Sequence, residues 1–232
     1  MIELGVVCTE CGAAAAHEVG AILLDHDLLE GADDAAAWTR AVYVALSLTC
    51  PKCAAIDAYT VVPASGRALE VDDEVVRAGR AALSDGTLIN TPSDGIRHLQ
   101  KRADAKPKDA KRWRALGNFA MRADHTDKAL AAWRRGAEID GELECALAVA
   151  VDAVARDHGD APTYVARAVE RLPHAEPQRR PLQSAQVAEL LRQLNGAITL
   201  TLDGEPVETA AVVDWSRFGE RLARARRIAA RA

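Results

Sequence analysis

Four cysteines constrain this chain more than any other feature. They fall as Cys8-Thr9-Glu10-Cys11 and Cys50-Pro51-Lys52-Cys53, two C-x2-C pairs with 38 residues between Cys11 and Cys50. In each pair one tight turn aims two thiolates at a common point while its N–H groups face the sulfurs, and two such turns complete a tetrahedral set. Gly12, directly after the first pair, can adopt the positive φ such a turn requires, and Pro51 fixes φ inside the second. Ala54 stands where a second glycine is common. Four sulfurs close the coordination sphere of a structural metal and leave no position for a reactive water, so the arrangement serves folding rather than metal catalysis.

The flanks of the two pairs are strand-like. Ile2–Val7 runs into the first, Ala41–Leu48 into the second and Ile56–Val62 away from it; Ala13–Leu24 reads as another strand, followed by an acidic insert from Asp25 to Asp34. On these features residues 1–63 resemble zinc-ribbon domains. The resemblance implies a small antiparallel sheet built around a structural Zn2+ on Cys8, Cys11, Cys50 and Cys53. Rubredoxin-like iron uses similar knuckles and stands as the alternative metal, beside a redox dithiol. A thioredoxin-like pair needs one C-x-x-C, and a disulfide framework calls for a secretory signal that the N-terminus lacks. His17 and His26 read as ordinary polar residues, because four thiolates already complete the site.

Composition turns the rest of the chain towards helix. The 49% hydrophobic content includes 48 alanines, and aromatics are 4%, which favours closely packed helices over a β-sandwich. Helical periodicity begins near Val71. With Ala110 as first position, Trp113, Leu116, Gly117, Ala129 and Trp133 fall so that the segment resembles a tetratricopeptide repeat, with Phe119 one place early and Gly136 where Ala is typical. A preceding unit, counted back to Val76, has its first helix over Asp73–Leu83, a long loop Ser84–Asn90, and a second helix starting at Thr91-Pro92 with Gly95 and Leu99 at the small and large places; Pro107 closes it. A degenerate third unit spans Glu142–Pro173, broken at His158-Gly159-Asp160, with Ala161 and Ala168 at small places. A plain antiparallel helical bundle is the alternative. The resemblance implies that the first helix of each unit lines a concave face. Those positions are Lys111, Arg114, Asn118 and Arg122 in the middle unit and Arg77, Arg80 and Ser84 in the preceding one. Arg114 and Asn118, four apart, have the spacing with which such grooves clamp a peptide carboxylate; a solvated basic face is the alternative.

Beyond the repeats, Pro181–Leu194 reads as an amphipathic helix and Ile198–Val213 as a β-hairpin turning at Asp203-Gly204, which must dock on the ribbon or on a neighbouring chain. Asp214 caps a last helix with Trp215, Phe218, Leu222 and Ile228 on one side and Arg217, Arg221, Arg224, Arg226, Arg227 and Arg231 elsewhere. Charge is asymmetric: residues 1–94 hold 15 acids and 5 bases, and the remainder holds 19 acids and 24 bases. Cys145 reads as a small buried apolar residue, and His98, His125 and His174 as solvent-exposed.

The expected fold class is α+β: a zinc ribbon over 1–70, a tetratricopeptide-like helical domain over 71–195, and a hairpin with a basic helix over 196–232. No phosphate loop, nucleophile elbow or metalloprotease helix is present in the sequence, so a catalytic function is not expected. No run of 18 apolar residues occurs, and a soluble, cytoplasmic protein is expected. The functional expectation is a non-enzymatic adaptor that holds a protein partner, through an acidic peptide, on its helices. The alternative is a nucleic-acid accessory factor using the ribbon and the Arg-rich end, against which stands the acidity of the ribbon region.

Overall fold

The computed structural model describes residues 2–30, 34–69, 76–139 and 143–156, with single positions as far as 171. In chain order the elements are β1 (Ile2–Cys8), β2 (Ala14–Val19), β3 (Ile22–Leu24), α1 (Ala35–Ala41), β4 (Val42–Val44), β5 (Tyr59–Val61), α2 (Pro63–Leu69), β6 (Val76–Ala78), α3 (Pro92–Ala105), α4 (Ala110–Arg122), α5 (Thr126–Ala137) and α6 (Leu143–Ala155). Helices and strands are thus mixed, as α+β requires. The chain divides into two compact units, residues 1–105 with 115–129, and residues 106–114 with the chain from 130 onward. The boundary expected near residue 70 falls in 70–75, outside the described residues.

The first unit contains two three-stranded sheets, ordered β2-β1-β5 and β4-β3-β6. Alternation in β1 buries Leu4, Val6 and Cys8, while β2 pairs antiparallel with it from Ile2↔Val19 to Val7↔Ala14. β5 pairs on the other edge of β1, with Cys8 opposite Tyr59. Leu4, Val6, Ile22, Leu24, Trp38, Val42 and Val61 belong to one hydrophobic core.

Several expected strands are shorter than the apolar runs that suggested them. Ala41–Leu48 yields only β4, because Asp34 caps a helix over the alanines before it, accepting from Ala37 N at 2.7 Å. Ile56–Val62 yields β5, because Asp57 lies in the left-handed region at φ +55. Ala13–Leu24 breaks into β2 and β3 at Gly20-Ala21, and the acidic insert begins with Asp25, a buried cap of the 3-10 turn His26–Leu28.

Of the helix expected over Asp73–Leu83, the described residues, 76–83, are not helical. Val76–Ala78 is instead a strand, parallel to β3, and the chain then folds back through an Ala82↔Leu88 bridge. Gly79 at φ +139 and Gly86 at φ +84 supply conformations that no α-helix contains. The second helix of that unit is present as α3, opened by a reciprocal cap: Asp94 N donates to Thr91 Oγ1 and Thr91 N to Asp94 Oδ2, each at 3.2 Å.

Two helices stand where the middle unit is expected, α4 and α5, joined through Asp124 at φ +65 with His125 N donating to Ala120 O at 2.8 Å. In the second unit Gly136 permits close helix approach, since a Cβ there would sit 2.5 Å from Cys145 Sγ. Cys145 is fully buried, as expected of a small apolar residue. α6 stands where the first helix of the degenerate third unit is expected; of the residues after it, 163, 164, 167, 168 and 171 are helical. His174, the helix Pro181–Leu194, the hairpin Ile198–Val213 and the Arg-rich helix lie outside the described residues. Among the described residues no helix is long and apolar enough to cross a membrane.

Candidate metal centre

β1 delivers Cys8 to the end of a sheet, where the chain turns through Thr9 and Glu10 to Cys11. Gly12 N donates to Cys8 O at 2.9 Å, and Cys8 N donates to Ala13 O at 2.9 Å. The second pair repeats the construction: Ala54 N donates to Cys50 O at 2.9 Å, and Cys50 N to Ala55 O at 2.8 Å. The residue after each pair is left-handed, Gly12 at φ +70 and Ala54 at φ +59. The two turns are also tied together, Thr9 N donating to Ala58 O at 2.9 Å.

This brings the four sulfurs to one place. Cys8 Sγ lies 3.6 Å from Cys53 Sγ, Cys11 Sγ lies 3.7 Å from Cys50 Sγ, and all four are within 4.8 Å of one another. A tetrahedron with metal–sulfur bonds of about 2.3 Å has edges of about 3.8 Å, so the spacing suits a four-coordinate metal. Cys8 and Cys50 are buried, Cys11 is half-buried and Cys53 is exposed. The N–H groups of Cys53 and Lys52 face Cys50 and pull its thiol down to about 6. At Cys53 the Ala55 N–H acts in the same sense, but the crowding sulfur of Cys11, burial, and the sulfurs of Cys50 and Cys8 push the thiol up to about 12. Four sulfurs this close resist losing every proton by themselves; a divalent cation among them supplies the missing positive charge. The four cysteines could therefore hold a metal ion. Neither His17 nor His26 belongs to this group.

A polar network that sequence reasoning missed supports the second turn. Asp57, four residues after Cys53, accepts from Leu48 N, Ser47 Oγ and Ser93 N, each at 2.9 Å. Ser47 Oγ is also 2.7 Å from His125 Nε2, and Ser47 N donates to Ala123 O at 3.3 Å. The single hydroxyl hydrogen of Ser47 goes to the carboxylate, so His125 Nε2 carries a proton and donates to Ser47. Burial, with Lys128 acting in the same sense, lowers the His125 pKa against the pull of Asp57 and Asp124, which keeps the ring neutral. His125 is therefore half-buried and bonded rather than solvent-exposed. His98 likewise sits against Asp85, 2.9 Å from Oδ2, and with the Thr87 N–H holds that carboxyl well below its usual range. The available sequence signal was an aspartate interrupting the apolar run Ile56–Val62.

The residues expected to contact a partner are dispersed. Arg77 lies on β6 and Arg80 just beyond it, so neither is on a helix as expected, and Arg80 pairs with the buried carboxylate of Asp25. Lys111, Arg114, Asn118 and Arg122 do share one stripe of α4. Lys111, Asn118 and Arg122 are exposed, while Arg114 is half-buried and ion-paired with Glu144 of α6 at 2.5 Å.

Fold and site together define an α+β protein with a cluster of four cysteines that could hold a metal ion. No family model, no curated protein and no solved structure matches the chain.

Proposed function

We propose that the chain is a non-enzymatic adaptor: a structural zinc ion on Cys8, Cys11, Cys50 and Cys53 stabilises a ribbon-like N-terminal part, and tetratricopeptide-like helices hold an acidic segment of a protein partner. Zinc is favoured because a closed four-thiolate set suits a structural ion that needs neither an open ligand position nor redox chemistry. The partner-binding part of the reading rests on α4. Its basic stripe includes a guanidinium, Arg114, that already pairs with a carboxylate, that of Glu144, in the manner expected of a peptide acid. A partner carboxylate binds there by displacing Glu144.

Native mass spectrometry with metal analysis tests the first half. One zinc per chain, released only on unfolding, supports it; iron, or no metal, removes it. The second half is tested by the affinity for an acidic peptide, which should fall in Arg114→Glu and rise in Glu144→Gln. Unchanged affinity in both variants removes the clamp.

A further inference from the structure

We propose that the helical unit carries a second docking site, independent of the α4 stripe: a groove walled by α5 and by the helical positions Tyr164, Arg167 and Arg171, which takes an acidic peptide segment with an apolar anchor. The groove encloses a cavity of about 130 Å³, smaller than the roughly 300–1,000 Å³ of a small-molecule pocket, so it suits a single side chain of a peptide rather than a whole small ligand. Its floor is small and apolar, Ala146 and Val149 of α6, which leaves depth for a larger apolar side chain. Guanidinium groups stand on both walls, Arg134 on one and Arg167 on the other. Arg134 is placed over the Tyr164 ring, 6.0 Å from its centroid, which orients that charge at the groove. Glu138, the acid in the lining, is paired with Arg135 at 2.7 Å, and the side chains of Arg134 and Arg167 are exposed at the groove.

This combination selects the occupant. Carboxylates match the guanidiniums of the walls bidentately, and a leucine- or phenylalanine-sized group between them covers the apolar floor. A nucleic-acid backbone calls for an extended basic track and gains nothing from an apolar floor. On α6 Glu144 and Ala146 are two positions apart and so on different faces of the helix, which separates this groove from the Arg114–Glu144 pair. The proposal extends the adaptor reading by giving the protein two acidic-segment sites rather than one.

The test uses the full chain and a fluorescein-labelled decapeptide of glutamates with two leucines, with its all-glutamine counterpart and polyuridylate RNA as controls. Anisotropy titrations should give two sites per chain, and the Arg134→Glu, Arg167→Glu double variant should remove one of them, with at least tenfold weaker binding. Lys111→Glu with Arg122→Glu should leave that site within twofold. If one site is present and only α4 variants abolish it, the groove proposal falls and the adaptor reading stands. If groove variants matter and α4 variants do not, the α4 clamp falls instead. Tighter binding of the RNA at the same arginines overturns the choice of occupant, and no binding of any probe overturns both readings. Should the double variant not fold, as judged by circular dichroism, photo-crosslinking of the peptide to the unaltered chain decides: adducts near Val149 and Tyr164 support the groove, and adducts confined to α4 overturn it.

Discussion

The Cys8–Cys11 turn and the Cys50–Cys53 turn carry the same backbone hydrogen bonds, yet they are held in different ways. The first emerges from the β1–β2 ladder, whose pairing runs from Ile2↔Val19 to Val7↔Ala14. The second has a much shorter backbone pairing: β4 ends at Val44, and the segments flanking the cysteines meet at the bridge Thr49↔Ile56, with Asp57 N donating to Leu48 O at 2.8 Å. Its further support comes largely from side chains, with the Asp57 carboxylate gathering Leu48, Ser47 and Ser93 and the Ser47 hydroxyl meeting His125, beside the backbone bond from Ser47 N to Ala123 O. The first turn can therefore form from residues near in sequence, whereas the second depends on α3 and on the α4–α5 turn being in place. A metal ion held by all four cysteines would link the two modes of support.

The largest effect belongs to the sulfurs, where the comparison should vanish. Cys11→Ser and Cys50→Ser should each abolish metal binding, because three thiolates do not complete the closed set. As structural zinc is worth about 10–16 kcal/mol in small peptides, cooperative melting of the first unit should be lost by calorimetry in both variants. Retained melting in Cys11→Ser alone would mean that the ladder suffices without metal. Next comes Asp57→Ala, which removes the acceptor of three donors and should destabilise by about 3 kcal/mol in urea unfolding. The amide of His125 should exchange faster in that variant while those of β2 do not. Equal acceleration in both places would show that the two turns share one support. Gly12→Ala touches the first turn: nothing lies within 4 Å of an added Cβ, but φ +70 remains, so the cost should be about 1 kcal/mol, purely conformational.

Acidification should act on the second turn selectively. His125 is held neutral by burial, its pKa lowered from 6.5. The folded state thus binds that proton less readily than the unfolded chain, so the stability contributed is present above about 6.5 and is lost as pH falls through the lowered value. In His125→Gln the part of the pH slope below 6.5 due to this residue should disappear, as read from urea midpoints between pH 5 and 8. An unchanged slope would place the titration elsewhere.

What the sequence disclosed follows the same division. The cysteine spacing announced the four-sulfur cluster, because ligand geometry is local to each pair. Alternation announced β1, because one of its faces is buried along its whole length. Neither signal reaches side-chain partners separated by 10 residues, as Ser47 and Asp57 are, or by 78, as Ser47 and His125 are. An isolated histidine carries no mark of the hydroxyl it will meet. The misread helix over Asp73–Leu83 has a related cause: its apolar spacing fits 3.6 residues per turn, but the edge of β3 and the left-handed glycines at 79 and 86 outweigh that weak preference. On α4 the basic periodicity was legible, while the carboxylate that meets Arg114 comes from Glu144, on another helix.

The smallest predicted effect is the sharpest comparison. Ala54 occupies the left-handed position that Gly12 fills in the first turn, at φ +59, and an L-residue there costs roughly 1–2 kcal/mol. Ala54→Gly relieves that strain, but it also widens the unfolded ensemble, which costs roughly 0.4–1 kcal/mol. The two terms leave a gain between about zero and about 1.6 kcal/mol, so the urea midpoint of Ala54→Gly should move slightly upward while that of Gly12→Ala moves down. If instead Ala54→Gly destabilises, the alanine methyl must be contributing contacts that offset the strain, and the second turn is then held by packing as well as by Asp57. Performing the substitution in an Asp57→Asn background separates these cases. Strain relief is local to residue 54 and should add to the Asp57 effect, whereas a packing role within the same loop should not.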